Sequence, residues 1–484
     1  MATKKDLVEA YAFSRRRLVT AFVSGAPGGR EVEPARPGRT IIGGLALAVL
    51  LVAGAAIAGI FSPSVPEDWA DSPGLIVSKE TGAAYVITED AVDAAEDADD
   101  DTGPVLRPVI NITSAMLILG AEESPEVVPQ SAIDDETVGD DIGILNAPAS
   151  PPSSDQLIET GWTACTDTGQ GIKLDVAETP GAGAARGAAG GPGGFVVRSE
   201  ELYYVIAQGR DEGTGAPSAY RYQLPDDQAA RDDILSELGV DSSVNARSVS
   251  EDWLALFPTG GALSVDSFRL EGAGDPVDYA EPGTGVPAGA RVGDFIDGAE
   301  GPFLLTADGP APLDPFALAV YRNLPEGPTQ VDSDDIQLER AREPYLDAHW
   351  PSTVLDRVAG EYCALLRPVA GEAPAVAIAT DPLDGATSVG VPAGETSVSV
   401  EPGRGAYVIS GDWTDTTEGS PYLVDAKGYA YALVGLGAPE LLGYTDVDAP
   451  VVPDPWVELF RPGVDLSQSA ALCPPDIAVG RTCD

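Results

Sequence analysis

Across 484 residues, 77 Asp and Glu stand against 28 Lys and Arg, a net charge of −49. A surface this acidic excludes nucleic acid as a partner, because phosphate contacts need a basic face. The single histidine, His349, leaves metal sites and catalytic dyads built on imidazole without material.

The first predicted element is an amphipathic helix from Lys4 to Ser24, with Leu7, Tyr11, Leu18 and Phe22 on one face. Arg15, Arg16 and Arg17 sit beside that face as candidate contacts, either with the anionic inner leaflet or with a cytoplasmic partner. Residues 1–40 hold eight basic and four acidic side chains, which leaves 20 basic and 73 acidic beyond them. Next comes the uncharged run Ile41 to Phe61, 21 residues long. At the rise of an α-helix it reaches about 31 Å, enough to cross a hydrocarbon core. It starts too late and runs too long for a cleaved leader. Basic residues before it and acids after it place the N-terminus in the cytoplasm and residues 62–484 outside.

The exported part is rich in Gly (55 in the chain) and Pro (42), which favours short strands and many turns. A strand–turn–strand pattern recurs four times: Leu75–Ile87, Phe195–Ala207, Phe303–Leu313 and Tyr422–Val434. Thr81-Gly82, Asp308-Gly309 and Lys427-Gly428 supply turns at corresponding places, whereas Glu200-Glu201 demands a different one. Short helices follow the hairpins. Thr113 or Ser114 caps Ala115–Leu119 and Gly120 closes it; Asp314-Pro315 opens Phe316–Leu324. Asp454-Pro455 starts a helix around Trp456–Phe460, and Asp465 with Gln468 has capping-box spacing before Ala470–Leu472. Residues 178–194, dense in Gly and Ala, read as a loop.

The fold class expected is α+β, mainly β: one transmembrane helix, then four small β-rich repeat units around a central β core. The boundaries are a cytoplasmic segment 1–40, the span 41–61, and repeat units 62–145, 188–245, 296–340 and 399–445. Central segments fall at 146–187, 246–295 and 341–398, with a C-terminal segment at 446–484.

Four cysteines lie beyond the membrane run and none before it, which fits oxidised pairs outside the cell. Three pairings are open. Proximity makes Cys473 with Cys483 the economical pair, leaving Cys165 with Cys363. No chemistry-bearing motif emerges. The acidic run Asp97–Gly103 has Thr102 where a calcium loop needs Gly and Pro108 where it needs Glu. There is no phosphate-binding G-x-x-x-x-G-K-[ST] loop and no G-x-S-x-G elbow. No catalytic residue, cofactor or metal site is assigned.

The order of segments resembles a known family. It runs from VEAYAFSRRRLVTAF and RTIIGGLALA through Trp69 and LIVSKETGAAYVI to RPVINITSAMLILG, GWTACTD and LLGYTDVDAPVVPDPWVELFRPGVDLSQSAAL. It is similar to EccB, the membrane-anchored subunit of the actinobacterial type VII (ESX) secretion system, over nearly the whole chain. Residues 91–102 and 180–194 depart from the family pattern where loops should be.

The resemblance implies an elongated extracytoplasmic domain with repeats about a core braced by a disulfide, for which Cys165 and Cys363 match the expected pair. It implies partners among the other secretion membrane subunits, including the secretion ATPase and the multi-span channel subunit. It also implies a homo-oligomer within the complex. Some members are labelled ATPases, and this sequence offers no nucleotide loop for that role. The competing expectation is a membrane-anchored protein that binds cell-envelope polysaccharide or peptidoglycan.

Overall fold

The computed structural model describes residues 4–24 and 69–475, apart from 97–103, 122–123, 186–191, 211–216, 299–300, 326–328, 332–340, 342–345, 347–348 and 436. The chain divides into two compact units, Met1–Val65 and Pro66–Asp484. In the first, helix α1 covers Lys4–Ser24. Among the described residues no helix is long and apolar enough to cross a membrane. The expected span 41–61 lies outside those residues, as does the acidic run 97–103.

The second unit is mainly β. Strands β1 (Gly74–Ser78), β2 (Ala84–Ile87) and β3 (Arg107–Pro108) run antiparallel, and β4 (Glu126–Val128) returns parallel to β1. The acidic stretch expected as loop begins as a helix, α2 (Glu89–Glu96), with Glu89 and Asp90 in its first turn. Helix α3 (Ile112–Leu119) lies between β3 and β4, and the four-residue α4 (Gln130–Ile133) follows β4. Strands β5 (Trp162–Thr166), β6 (Ile172–Val176) and β7 (Gly183–Ala184) then start a second, central sheet. Thus part of the expected 178–194 loop is an edge strand, because Gly183 and Ala184 pair with Thr380 and Ala379.

The next sheet is a meander of β8 (Gly193–Ser199), β9 (Leu202–Arg210) and β10 (Pro217–Gln223). Helix α5 (Gln228–Leu238) carries the chain back to β11 (Arg247–Ser248), parallel to β8. The short α6 (Glu251–Leu254) leads to β12 (Thr259–Ala262), parallel to β10. A third meander follows: β13 (Phe295–Gly298), β14 (Gly301–Thr306) and β15 (Gly309–Pro312). Helix α7 (Pro315–Tyr321) leads on to β16 (Gln330–Val331), parallel to β13. The chain then adds β17 (Asp356–Arg357) to β8 and returns to the central sheet with β18 (Tyr362–Arg367), β19 (Ala375–Thr380) and β20 (Thr396–Val400). The last sheet is β21 (Ala406–Gly411), β22 (Ser420–Val424) and β23 (Tyr429–Ala432). Helix α8 (Ala438–Leu441) precedes β24 (Val451–Pro453), parallel to β21; α9 (Asp454–Val457) precedes β25 (Arg461–Pro462), parallel to β23. Helix α10 (Gln468–Ala471) ends the described chain.

The outer sheets share one plan, an antiparallel meander whose first strand gains a parallel neighbour after a helix. The physical reason is handed down by connectivity: a parallel neighbour needs a crossover, and the helices supply it. In the first sheet the bridges Leu106 to Val138 and Val109 to Ile142 stand where the last parallel strand stands in the second and fourth. Several expectations shift. The four hairpins are not equivalent, since those at 75–87 and 195–207 join strands one and two, while those at 303–313 and 422–434 join strands two and three. The second and fourth sheets also take strands beyond the expected boundaries at 245 and 445. Segment 246–295 gives no strand to the central sheet, whose six strands come from 162–184 and 362–400. The turn glycines Gly82 and Gly428 have positive φ (71° and 78°), and Glu200 takes the left-handed position (φ 52°) in its own turn.

Capping also differs. Asn111, not Thr113 or Ser114, caps α3, its carboxamide accepting from Ser114 N at 2.8 Å. The two hydroxyls are engaged elsewhere: Thr113 donates to Pro148 O (2.6 Å) and Ser114 accepts from Ile144 N (2.9 Å). Asp314 caps α7 by accepting from Ala317 N. Asp454 is the first residue of α9, after Pro453, and Ser467, rather than Asp465, caps α10. Because Asn111 also donates to Ile144 O (2.9 Å), Asn111→Ala loses a cap and a tie between segments. We expect a loss of about 1–2 kcal/mol in urea unfolding.

One core joins the central sheet to the second and fourth, around Trp162, Phe195, Trp253, Leu366 and Trp456. A second lies between the second and third sheets with α5 and α7, around Tyr222, Leu235, Phe316 and Trp350. A third packs α3 of the first sheet on the fourth, around Leu117, Tyr407, Leu423 and Tyr444.

Candidate functional surfaces

The first surface is α1. Val8, Tyr11, Phe13 and Leu18 are each about two-thirds exposed or more (68%, 73%, 66% and 68%), and Arg15 is exposed among them. Val8, Tyr11, Arg15 and Leu18 recur at three- and four-residue spacing, which sets them on one side of the helix. Such an apolar stripe with a cation on it is suited to an interface of lipid headgroups or a partner protein. Arg16 and Arg17 fall on the same helix.

The second feature is the brace within the central sheet. Cys165 on β5 and Cys363 on β18 are direct cross-strand partners, joined by a disulfide with Cα atoms 4.0 Å apart and no exposure to solvent. They lie against Ala182, Leu365, Ala377 and Ala379. Cys473 is also in disulfide linkage, and Cys483 lies outside the described residues. Around the brace, contacts tie neighbouring sheets to the central one and to each other. Arg247 pairs with Asp167 at 2.9 Å and stacks 4.2 Å over Tyr362, which in turn stacks on Phe195 at 3.7 Å. Trp253 Nε1 donates to Ala164 O, and Trp456 Nε1 donates to Leu256 O. Tyr444 of the fourth sheet donates to Pro152 O, and Gly143 N of the first donates to Cys473 O.

On β6, the strand between β5 and β20 in the central sheet, burial raises the carboxyl pKa of Asp175 and lowers the ammonium pKa of Lys173; the Ser399 hydroxyl and Lys173 moderate the first shift and Asp175 the second. A carboxyl whose folded pKa is raised binds its proton more tightly folded than unfolded. Its contribution is therefore fully present below the unfolded value of about 3.9 and is lost as pH rises through the folded value. Asp175→Asn should flatten the stability–pH profile on the acid side of neutrality, read from melting temperatures across pH.

His349 sits at φ 75° with its ring stacked 4.5 Å from Tyr220 and its carbonyl accepting from Tyr222, a packing role. Among the described residues no group of three or more His, Cys, Asp or Glu could hold a metal ion. Two clefts of about 450 and 440 Å³ open on the second unit. One lies against β9, β10 and α6, and the other is an apolar groove beside α7 with Leu313, Leu318 and Val354. The polar cleft escaped the sequence reading. Its signal was Arg221, a charge at a position whose strand neighbours face the core.

Comparison with known proteins gives one consistent answer. The family profile described as "Type VII secretion system ESX-1, transport TM domain B" (EccB) matches residues 1–479. A protein of Mycobacterium tuberculosis called ESX-3 secretion system ATPase EccB3 is 26% identical, over 93% of this chain and 85% of its own. The ESX-5 secretion system ATPase EccB5 of Mycobacterium marinum is 26% identical, over 65% of this chain and 58% of its own. Among solved structures, a chain of an intact ESX-5 inner membrane complex is similar in fold with a TM-score of 0.56. That match has 22% identity and covers 100% of this chain and 98% of that one. A structure of an EccB3 dimer from the ESX-3 core complex gives a TM-score of 0.55 at 19% identity, over 83% of this chain and 100% of that chain.

Proposed function

The chain belongs to the EccB family of type VII secretion systems, and from that membership we propose that it is a structural membrane component of a type VII secretion complex. It bridges the cytoplasmic membrane to the periplasm and supports export of small helical substrates. The family match over residues 1–479 carries this reading. In it, residues 41–61 cross the membrane, α1 meets the inner leaflet or a cytoplasmic subunit through Arg15, Arg16 and Arg17, and the rest lies outside. The outer sheets are four repeat units set about the central sheet. Their shared strand plan supports that division, with the boundaries moved to include β12 and β25. The partners are the secretion ATPase, the multi-span channel subunit and further copies of this chain. A dimer of EccB3 and a periplasmic assembly of the ESX-5 complex, both similar in fold, support an oligomer.

Curated relatives carry the name ATPase. We assign no nucleotide hydrolysis to this chain, since its sequence holds no phosphate-binding loop. The purified full-length protein should release no phosphate from ATP with magnesium above buffer alone. Release in proportion to protein concentration would reverse that assignment. For the main reading, extraction in mild detergent should bring the chain out in one large species with other secretion membrane subunits, identified by mass spectrometry. Migration solely as a free chain would sink it.

A further inference from the structure

One face of the second sheet changes character along its length. Residues 195, 197 and 199 of β8, 202, 204 and 206 of β9, and 219, 221 and 223 of β10 share that face by strand parity and register. Phe195, Val197, Ile206 and Ala219 are buried in the core shared with the central sheet. Toward the β8–β9 turn the same face becomes Ser199, Tyr204, Arg221 and Gln223, which line the polar cleft of about 450 Å³. Leu254 and Ala255, in and just after α6, close one side, and Glu200 and Glu251 are also in the lining.

Two groups in this cleft are placed for a ligand. The Ser199 hydroxyl, on a residue only 5% exposed, has no hydrogen-bond partner. Leaving such a bond unmade costs about 1–3 kcal/mol, a cost that an oxygen or nitrogen of a ligand would relieve. The Arg221 guanidinium is half-buried, and burial lowers its pKa. Among the described ion pairs none involves Arg221, although two glutamates line the same cleft. Glu200 is also held at φ 52°, where Gly, Asn or Asp would sit with less strain.

We propose that this cleft binds a small zwitterion, an amino acid or a dipeptide. Its carboxylate lies on Arg221 and Ser199, and its ammonium faces Glu200 and Glu251. Arg is the side chain fitted to hold a carboxylate bidentately. Two glutamates beside it repel a dianion such as phosphate, and a simple monoanion leaves both without a counter-charge. A ligand bearing both charges satisfies all four groups. The volume is ample, since ligand clefts start near ~300 Å³. This inference stands independently of the secretion reading.

Isothermal titration calorimetry on the full-length protein in detergent tests it, with alanine, alanyl-alanine, acetate and inorganic phosphate as probes. Saturable binding of either zwitterion is expected, with acetate and phosphate at least tenfold weaker. Tighter binding of alanyl-alanine assigns a dipeptide; tighter binding of alanine assigns the free amino acid. Arg221→Gln should weaken binding at least tenfold. Glu200→Gly should weaken it while holding or raising the melting temperature, an outcome that misfolding cannot produce. Saturation by neither zwitterion, acetate or phosphate binding as tightly, or unchanged affinity in Arg221→Gln overturns the proposal.

Discussion

Replacement of both Cys165 and Cys363 by alanine is expected to lower the unfolding free energy of the second unit by about 3–5 kcal/mol. The bridge closes a loop of 198 residues, and chain entropy for a loop of that length gives about 5 kcal/mol as an upper figure. The double variant is the right one. A single substitution strands a thiol in a site that neither cysteine shares with solvent, and adds a penalty unrelated to the cross-link. The consequence reaches beyond one strand pair. Strands β5 and β6 come before the second and third sheets in the chain, and β18, β19 and β20 come after them. The disulfide therefore fastens the two ends of a long excursion, so that the central sheet exists only when both halves meet. Urea unfolding of the double variant against the wild type checks the size. Equal midpoints would mean that the β5–β18 hydrogen bonds alone hold the sheet and that the brace contributes nothing.

Local features were legible in the sequence, and long-range pairing was not. The periodicity of Leu7, Tyr11, Leu18 and Phe22 outlines a helix, and α1 has those bounds. Thr81-Gly82 and Lys427-Gly428 mark turns because a left-handed residue favours glycine, and both glycines have positive φ. Asp314 before Pro315 marks a helix start for the same kind of local reason. The central sheet leaves no such trace. Its β5–β18 pairing joins residues about 200 apart, and an apolar run such as Tyr362–Arg367 reads alike whatever strand it meets. Hairpin equivalence failed for a related reason: a meander contains two successive hairpins, and a strand–turn–strand pattern does not tell the first from the second. The caps were misread where two candidates competed. Asn111 won over Ser114 because the Ser114 hydroxyl receives Ile144 N from a distant loop. The polar cleft was hidden because it depends on which face of β10 meets the core, and only the assembled sheets decide that.

Trp253→Ala is the second large effect expected, a loss of about 4–6 kcal/mol. The side chain is fully buried, its ring edge-on to Phe257 at 5.2 Å and tilted against Phe195 at 6.4 Å. Truncation of a buried tryptophan costs about 3–5 kcal/mol through lost burial and the cavity left behind. Loss of the 3.1 Å bond from Nε1 to Ala164 O adds about 1 kcal/mol. Trp253→Phe separates these, retaining most of the apolar area and costing about 1–2 kcal/mol. Three residues on, Leu256 O accepts from Trp456 Nε1, so the 253–256 stretch is held by the central sheet on one side and by the fourth sheet's helix on the other. The two tryptophans should then be coupled. A double-mutant cycle of Trp253→Phe and Trp456→Phe should show an interaction of at least about 0.5 kcal/mol, beyond the scatter of independent sites. Additivity would mean that the sheets unfold as separate bodies, each indifferent to its neighbour. Coupling would mean that load on one sheet is carried through α6 to the next.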